Sequence, residues 1–281
     1  MEPPRFLDRE KFPILLSQAQ ERLADYGIGF VRIERRGVED DAMLAGSGTL
    51  IRVDSIHAIL TADHVVTNLP RTGKVGLVLN LRPDSRLHRF LVDMETVKLI
   101  QIGKASNDAT GPDLAALVLP PSTVAELLAR TSFYDLPRRQ SQMLFSPPPL
   151  EHGGWVLYGF VEEWSSSQAG ESGFSTVKYF TSICGGAVVT SEEQRGEFDY
   201  LNFRVKYGAT YKGPQSFAGV SGGALWQVFA RIDGDAVDMA DPLLSGVAFF
   251  QTGIDDDGRT IVCHGRRSIY DSVVAMLRTA S

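Results

Sequence analysis

The chain has 281 residues, of which 43% are hydrophobic and 22% are charged, and its formal net charge is −6. These values are typical of a globular protein large enough for two small domains, and they exclude a long disordered segment. The negative charge, with basic residues adjacent only as Arg pairs, argues against nucleic acid as the main partner.

The N-terminal residues lack the basic start and apolar run of a signal peptide, and no window of the sequence approaches membrane-spanning length. The sequence therefore predicts a cytoplasmic protein with no membrane partner. Its two cysteines, Cys184 and Cys263, are interpreted as buried thiols of a reducing compartment, and their spacing does not indicate a metal site.

The first predicted element is an amphipathic helix within residues 1–27. Apolar residues recur at three- and four-residue steps from Phe12 to Tyr26, and Gly27 is a typical stop signal. We expect this helix to pack against a barrel, and docking to a partner protein is the alternative.

Residues 28–120 are predicted to form a first β-barrel. After Gly27 the apolar period changes to two, and further short strands are expected near 75–81 and 90–100. A Gly-Ser-Gly turn at 46–48 enters one strand. Among the five histidines, only His64 joins a Leu-Thr-Ala approach to an apolar exit, and Asp113 stands at the mouth of another apolar strand. Both side chains are therefore expected at strand ends.

Residues 121–154 are predicted to link this barrel to a second one over residues 155–265. The link should contain a short helix at 122–130 and a proline-rich break at 147–149. Within the second barrel, the polar segment 165–175 is interpreted as a surface loop. The chain is predicted to end in a helix within residues 266–281.

The sequence Gly-Val-Ser-Gly-Gly at 219–223 is the strongest chemical signal of the chain. Glycines on both sides of Ser221 allow a tight turn that exposes the hydroxyl group. Because a serine is a weak nucleophile at neutral pH, it needs a base and an orienting acid from elsewhere. His64 and Asp113 precede it in that order and are the candidates.

These three segments resemble the trypsin-like serine peptidases of the chymotrypsin fold, which carry Thr-Ala-x-His, Asp-[Ile/Leu]-Ala-x-Leu and Gly-x-Ser-Gly-Gly in the same order. The resemblance extends over residues 28–275. It implies an all-β fold of two six-stranded antiparallel barrels with an added N-terminal and a C-terminal helix. It also implies a serine endopeptidase that acts on a protein or peptide substrate and uses no cofactor and no metal.

The resemblance assigns roles to individual residues. His64 would be the general base and acid, Asp113 the orienting acid, and Ser221 the nucleophile that carries the acyl group. The amides of Gly219 and Ser221 would form the oxyanion hole. The residues expected to line the substrate pocket are Gln215, Phe249, Phe250 and Gln251. The uncharged Gln215 argues against a preference for Lys or Arg, and we expect a small or medium apolar residue in the pocket instead.

Two departures from the family pattern are informative. Asp63 precedes His64, so an extra carboxylate is expected close to the base. Val220 occupies the position where family members made as zymogens carry an Asp that pairs with a newly cut N-terminus. The chain therefore resembles bacterial HtrA-type members, and no zymogen cleavage of the trypsin kind is expected.

Two alternatives remain from the sequence. A catalytically silent trypsin-fold domain could bind peptides while its pocket is blocked by Phe249, Phe250 and Gln251. An α/β-hydrolase esterase could instead use the same serine with Asp241 and His264, although the segment before the serine is not the apolar strand that such an elbow needs. A regulatory partner or a homo-oligomer is compatible with each reading.

Overall fold

The computed structural model describes residues 12–36, 39–79, 90–106, 108–169, 176–208, 211–233, 236–255 and 257–280. Most of these residues are in β-strands, which form two antiparallel sheets. One sheet is a half-barrel, the other is a closed ring of six strands, and helices lie near both ends of the chain.

The first sheet comprises the N-terminal strands. They are β1 (Gly27–Arg36), β2 (Glu39–Val53), β3 (Ile56–Thr61), β4 (Lys74–Leu79), β5 (Phe90–Asp93), β6 (Lys98–Gly103), β7 (Leu114–Val118) and β8 (Tyr134–Asp135). Their order is β5-β4-β1-β2-β3-β7-β6, and β8 pairs in parallel with β2. The end strands β5 and β6 do not pair with each other in the described part, so the predicted first barrel is a half-barrel.

The second sheet closes into a barrel of six strands. They are β9 (Gly154–Ala169), β10 (Thr176–Arg195), β11 (Phe198–Lys206), β12 (Ala224–Val228), β15 (Leu243–Gln251) and β16 (Gly258–His264). The order around the ring is β10-β11-β16-β15-β12-β9. A separate hairpin consists of β13 (Ala230–Asp233) and β14 (Ala236–Met239). This closed ring confirms the predicted second six-stranded barrel.

The helices are short and lie outside the two sheets. They are α1 (Phe12–Leu23), α2 (Asp63–Thr67), α3 (Pro121–Leu128), α4 (Leu136–Phe145) and α5 (Val274–Thr279), with a 3₁₀ turn at Met94–Thr96 and a π-helical segment at Ser268–Val273 that runs into α5. The last two form the predicted C-terminal helix. The carboxylate of Asp199 on β11 accepts the backbone N–H groups of Arg267 (2.8 Å) and Ser268 (2.6 Å), which fixes the start of this helix to the second barrel.

Three aromatic rings join the two sheets. Tyr26 precedes β1, Tyr134 lies on β8 and Trp226 lies on β12, and their ring centroids are separated by 5.1 to 5.7 Å. Tyr134 and Trp226 belong to a buried apolar cluster that also contains residues of α1 and of the C-terminal helix, and the partly buried Tyr26 packs against it. The core between the sheets therefore holds both halves of the chain together.

The N-terminal helix packs against this core, as its apolar spacing predicts. Leu15, Ala19 and Leu23 are fully buried, at the four-residue step of one helical face. The Gln18 side chain donates to the carbonyl of Val237 (2.8 Å) and accepts from the N–H of Met239 (2.8 Å), so it continues the edge of β14. Packing on the protein, rather than docking to a partner, accounts for this face.

Several local predictions differ from the structure. The turn expected at 46–48 lies within strand β2, and His64, expected at a strand end, lies in helix α2. The segment 165–175 was expected to be a loop, yet β9 continues to Ala169 and β10 begins at Thr176, while residues 170–175 lie outside the described part. The long hairpin reaches across to the first sheet, where Lys178 pairs with Asp41 (3.3 Å). Helix α4 also lies in a segment for which only the earlier helix α3 was expected.

No helix among the described residues is long and apolar enough to cross a membrane.

We expect the substitution Leu15→Ala to lower the free energy of unfolding by about 2 to 5 kcal/mol, because it leaves a cavity where α1 meets the core. The neighbouring Ile14 is 49% exposed, so Ile14→Ala should change stability by less than about 1 kcal/mol. Urea denaturation of both variants measures the difference. Equal small effects would show that α1 is not part of the cooperative fold.

Candidate active site

His64 and Asp113 form a two-point contact between α2 and the start of β7. The backbone N–H of His64 donates to Asp113 Oδ1 (2.9 Å), and His64 Nδ1 lies 2.5 Å from Asp113 Oδ2. With an ionised Asp113 accepting at both oxygens, Nδ1 carries the proton and Nε2 keeps its lone pair. This is the tautomer that a general base requires.

Asp113 is almost completely buried, with 3% of its surface exposed. Its own backbone N–H donates to Nε2 of His264, at the end of β16 (2.9 Å). Asp113 thus contacts two imidazoles: its carboxylate contacts His64, and its backbone N–H contacts His264. The hydrogen bond to His264 holds the backbone at the start of β7 and so keeps the Asp113 carboxylate directed towards His64.

His264 was not assigned to this role by the sequence. It is fully buried among the rings of Phe198, Tyr200 and Phe249, whose centroids lie 4.8 to 5.5 Å from its own. Burial disfavours the imidazolium and lowers the pKa of His264 to about 4, although the charge of Asp113 acts in the opposite direction. His264 is therefore neutral at pH 7 and accepts a hydrogen bond at Nε2.

Asp63, the extra carboxylate beside the base, is also buried. Its oxygens accept hydrogen bonds from the side-chain amide of Gln101 (2.9 Å) and the backbone N–H of Ala105 (2.9 Å). The carboxylate thus ties α2 to the segment after β6, which leads to Asp113. Its contacts give it a positioning role, and no contact joins it to the His64 ring in the described part of the chain.

The loop that carries Ser221 is a pair of tight turns. The N–H of Val220 donates to the carbonyl of Phe217 (3.0 Å), and that of Gly223 donates to Val220 (2.7 Å). Gly219 and Gly222 have φ angles of 90° and 86°, a region that favours glycine. The Val220 side chain is 1% exposed and packs in the core of the second barrel, which anchors the loop from below.

Ser47, on β2, connects this loop to the first sheet. Its N–H donates to the carbonyl of Ser221 (2.7 Å), while its hydroxyl donates to the carbonyl of Gly219 (2.7 Å) and accepts from the N–H of Phe160 on β9 (2.8 Å). The Ser47 carbonyl accepts the hydroxyl of Thr61, three residues before His64 (2.7 Å). The loop that carries Ser221 and the strand that leads to His64 therefore meet at one buried residue.

Close contact at Gly222 shows how tightly the loop docks. A Cβ atom at this position would lie 2.0 Å from the Ser47 carbonyl oxygen and 2.1 Å from the Thr61 hydroxyl. Only glycine fits between these groups. The first glycine after the serine is thus required by the interface between the sheets as well as by the turn.

Two backbone N–H groups of the loop have no hydrogen-bond acceptor among the described residues, those of Gly219 and Ser221. The carbonyl of Ala218 accepts the N–H of Glu162 on β9 (2.9 Å). In a trans peptide the N–H and C=O groups point in opposite directions, so the Gly219 N–H points away from β9. Such a pair of unpaired donors can stabilise an oxyanion.

Ser221 Oγ and His64 Nε2 are not hydrogen-bonded to each other, and neither has another partner within the described ranges. In unliganded enzymes such contacts are often long and shorten when substrate binds. The structure therefore joins Asp113 and His64 directly, and Ser47 connects the loop that carries Ser221 to the strand that precedes His64.

The residues predicted to line the pocket lie in different environments. Gln215 is exposed, and the carboxylate of Glu163 accepts its backbone N–H (3.3 Å) and that of Ser216 (2.8 Å). The side chain of Gln251 accepts the N–H of Phe217 (2.9 Å). Phe249 is buried against His264, and Phe250 is partly buried. Gln251 thus bridges β15 and the segment that precedes Ser221.

The pair proposed for an esterase does not approach the nucleophile loop. Asp241 is bound at the surface by Arg22 (3.3 Å) and Arg139 (2.9 Å), whereas His264 is buried behind Asp113. The antiparallel sheets also differ from the parallel sheet of an α/β-hydrolase.

No group of three or more His, Cys, Asp or Glu side chains that could hold a metal occurs in the described ranges. Cys184 and Cys263 are free thiols, and burial raises the pKa of each, that of Cys184 to about 12.

In comparisons with known proteins, no family model matches the sequence and no curated protein is significantly similar to it. The functional interpretation therefore depends on the residues and geometry described above.

We expect Ser47→Ala to impair the site without unfolding the protein. The change leaves the buried N–H of Phe160 and carbonyl of Gly219 without their partner, at a cost of about 1 to 3 kcal/mol. The rate at which a fluorophosphonate labels Ser221 should fall about tenfold or more. The matched control is Ser245→Ala, because Ser245 is equally buried but bonds only to the nearby carbonyl of Leu243. Equal labelling of both variants would contradict the role of Ser47.

The lowered pKa of His264 predicts a pH dependence of stability. Above pH 6.5, the ordinary pKa of the group, its imidazole is neutral in both folded and unfolded chains and contributes no difference. As the pH falls from 6.5 towards about 4, only the unfolded chain takes up this proton, so the folded state loses about 3 kcal/mol. Denaturation at pH 7 and pH 4 should show a smaller loss for His264→Gln, which keeps a hydrogen-bond acceptor but does not titrate. If His264→Gln lost as much stability between pH 7 and pH 4 as the wild type, His264 would not be the cause of the destabilisation by acid.

Proposed function

We propose that this protein is a serine endopeptidase of the trypsin-like type, with Ser221 as nucleophile, His64 as general base and acid, and Asp113 as orienting acid. The observation that carries the proposal is the two-point contact of His64 with Asp113, beside a serine loop with two unpaired backbone amides. Acyl transfer from a serine needs an oriented general base and a site that stabilises the oxyanion, and these two features would supply them.

The architecture supports this proposal at the level of the fold. A chymotrypsin-like fold has two six-stranded barrels with the catalytic groups in the cleft between them. The closed second sheet, the half-barrel of the first sheet and the contact between them at Ser47 are compatible with that arrangement. The base and acid come from the first sheet, and the nucleophile comes from the second.

On this mechanism, Ser221 Oγ attacks the carbonyl carbon of a peptide bond while Nε2 of His64 takes the hydroxyl proton. Asp113 holds the imidazole in the required tautomer and stabilises the imidazolium that forms. The N–H groups of Gly219 and Ser221 bind the developing oxyanion, and each such donor contributes about 3 kcal/mol in comparable sites. The imidazolium then protonates the leaving amine, and water hydrolyses the acyl-enzyme by the reverse sequence.

The environment of Val220 supports an enzyme that needs no N-terminal cleavage. Its buried side chain fixes the loop through apolar contacts, and no ion pair with a new N-terminus is possible at this position. In this respect the proposed enzyme resembles HtrA-type peptidases, in which the loop does not depend on such a pair.

A catalytically silent peptide-binding domain of the same fold is the second candidate. Two observations favour it: no hydrogen bond joins Ser221 Oγ to His64 Nε2, and the Gln251 side chain bridges to the N–H of Phe217 beside the nucleophile loop. Competent residues at all three triad positions favour the enzyme.

The test is covalent labelling of the purified protein with a fluorophosphonate probe, followed by mass spectrometry of the modified peptide. The wild type should be labelled at Ser221, whereas Ser221→Ala and His64→Ala should not be labelled. Asp113→Asn should label at least about a thousandfold more slowly, because the wrong imidazole tautomer is stabilised.

Matched controls separate the site from general damage. Ser106→Ala and His57→Ala change exposed or partly exposed residues outside the candidate triad and should label like the wild type. A folded wild type that is not labelled would favour the silent binding domain, and labelling at a serine other than Ser221 would refute the assigned nucleophile.

A further inference from the structure

Arg259 is a cation on the inner face of the second barrel. It stands on β16 two residues before Ile261 and four before Cys263, which are both buried in the barrel core. Because side chains alternate along a strand, Arg259 points to the same side as these two residues. Its partner on β11 is Val205, another core residue. Arg259 therefore closes one end of the barrel interior.

The guanidinium of Arg259 lacks a counter-charge in the described part of the protein. Its Nη1 donates to Oε1 of Gln251, whereas its Nε is buried and has no hydrogen-bond partner. No carboxylate in the described ranges lies within ion-pair distance of it. A buried guanidinium donor without an acceptor is costly, and such groups are ordinarily paired with carboxylates or phosphates.

Tyr207 and Tyr211 lie near enough to Arg259 for its charge to act on their pKa values, and Glu163 acts on them too. All three side chains have hydrogen-bond partners other than Arg259. The carboxylate of Glu163 accepts the N–H groups of Gln215 and Ser216. The hydroxyl of Tyr207 donates to the carbonyl of Gln215 (3.0 Å), and that of Tyr211 donates to the carbonyl of Pro214 (2.9 Å). These contacts shape the segment before the Ser221 loop, and none of them is made to the guanidinium of Arg259.

The side chain of Gln251 connects Arg259 to the segment that leads to Ser221. The Gln251 oxygen that accepts from Arg259 also accepts the N–H of Phe217 (2.9 Å), and the carbonyl of Phe217 accepts the N–H of Val220, next to Ser221. A substrate residue adjacent to the bond attacked by Ser221 would therefore come close to this cation.

We propose that Arg259, with Gln251, recognises an acidic side chain, Glu or Asp, next to the scissile bond of a peptide substrate. This inference rests on the proposed peptidase function and deepens it. A carboxylate that enters the end of the barrel would accept from Nη2 and supply the acceptor that the buried Nε lacks, in the bidentate geometry that arginine favours. Gln251 keeps Nη1 engaged and so orients the planar group. The sequence predicted an apolar preference because Gln215, in the segment before Ser221, is uncharged. The substrate preference proposed here is acidic instead, because Arg259 on β16 supplies a positive charge.

The experiment compares matched fluorogenic peptides that differ only in having Glu, Gln or Lys before the cleaved bond. The wild type should cleave the Glu peptide with a kcat/KM at least about tenfold above that of the Gln peptide, and the Lys peptide should be the poorest. Arg259→Gln should abolish this difference. Arg259→Lys should retain only part of it, because an ammonium lacks the bidentate edge.

Charge reversal and a matched control make the test sharper. Arg259→Glu should invert the order in favour of the Lys peptide, which an unfolded variant could not do. Lys206→Gln removes the same charge from the neighbouring strand, but its side chain is 72% exposed and bound to Asp257, so it should keep the wild-type order. Circular dichroism and the Tm of every variant monitor folding.

A binding assay separates failure of this inference from failure of the peptidase proposal. Ser221→Ala should bind the Glu peptide more tightly than the Gln peptide, measured by fluorescence polarisation, and adding Arg259→Gln should remove the difference. If the wild type is not labelled by fluorophosphonate but this binding difference is found, the peptidase proposal fails and acidic recognition stands. Labelling of Ser221 without any preference for Glu in cleavage or binding would overturn acidic recognition alone.

Discussion

The candidate site depends on the hydrogen bonds of one buried serine. Ser47 binds the Ser221 carbonyl through its N–H and joins Gly219 to β9 through its hydroxyl, so one residue of the first sheet holds the Ser221 loop of the second at two points. Its flanking glycines are equally constrained: a Cβ at Gly46 would lie 2.5 Å from Val65, and one at Gly48 would lie 2.5 Å from Ile59. The two glycines thus let β2 pack closely on α2 and β3, while Ser47 between them makes the hydrogen bonds to the second sheet.

Two buried carboxylates near His64, those of Asp113 and Asp63, are both stabilised by several hydrogen-bond donors. Removing a carboxylate from water is costly unless several donors replace the lost hydration. Asp113 receives the ring and the backbone N–H of His64, and Asp63 receives the amide of Gln101 and the N–H of Ala105. One acid thereby orients the imidazole while the other fixes the helix that carries it. Neutral His264 completes the arrangement without adding a further charge next to Asp113.

Much of the fold was predictable from local patterns, and the site was predictable only where motifs are contiguous. Period-two segments located most strands, and three short motifs identified His64, Asp113 and Ser221 as candidates. Closure of one sheet and not the other depends on pairings such as β11 with β16, which join residues far apart in sequence. His264 and Arg259 could not be assigned from neighbouring residues, because the contacts that matter for them are made to other strands. The β9–β10 hairpin was misjudged because its outer residues are polar, although its strands continue.

Val220 gives the nucleophile loop an anchor without charge. An ion pair at this place would weaken as salt concentration rises, whereas apolar burial is largely indifferent to ionic strength and loses strength on cooling. Because the side chain lies in the barrel core, temperature rather than electrolyte should govern how firmly the loop is held. The loop thus shares the thermal behaviour of the barrel interior, and its order is linked to the folding of the whole second sheet.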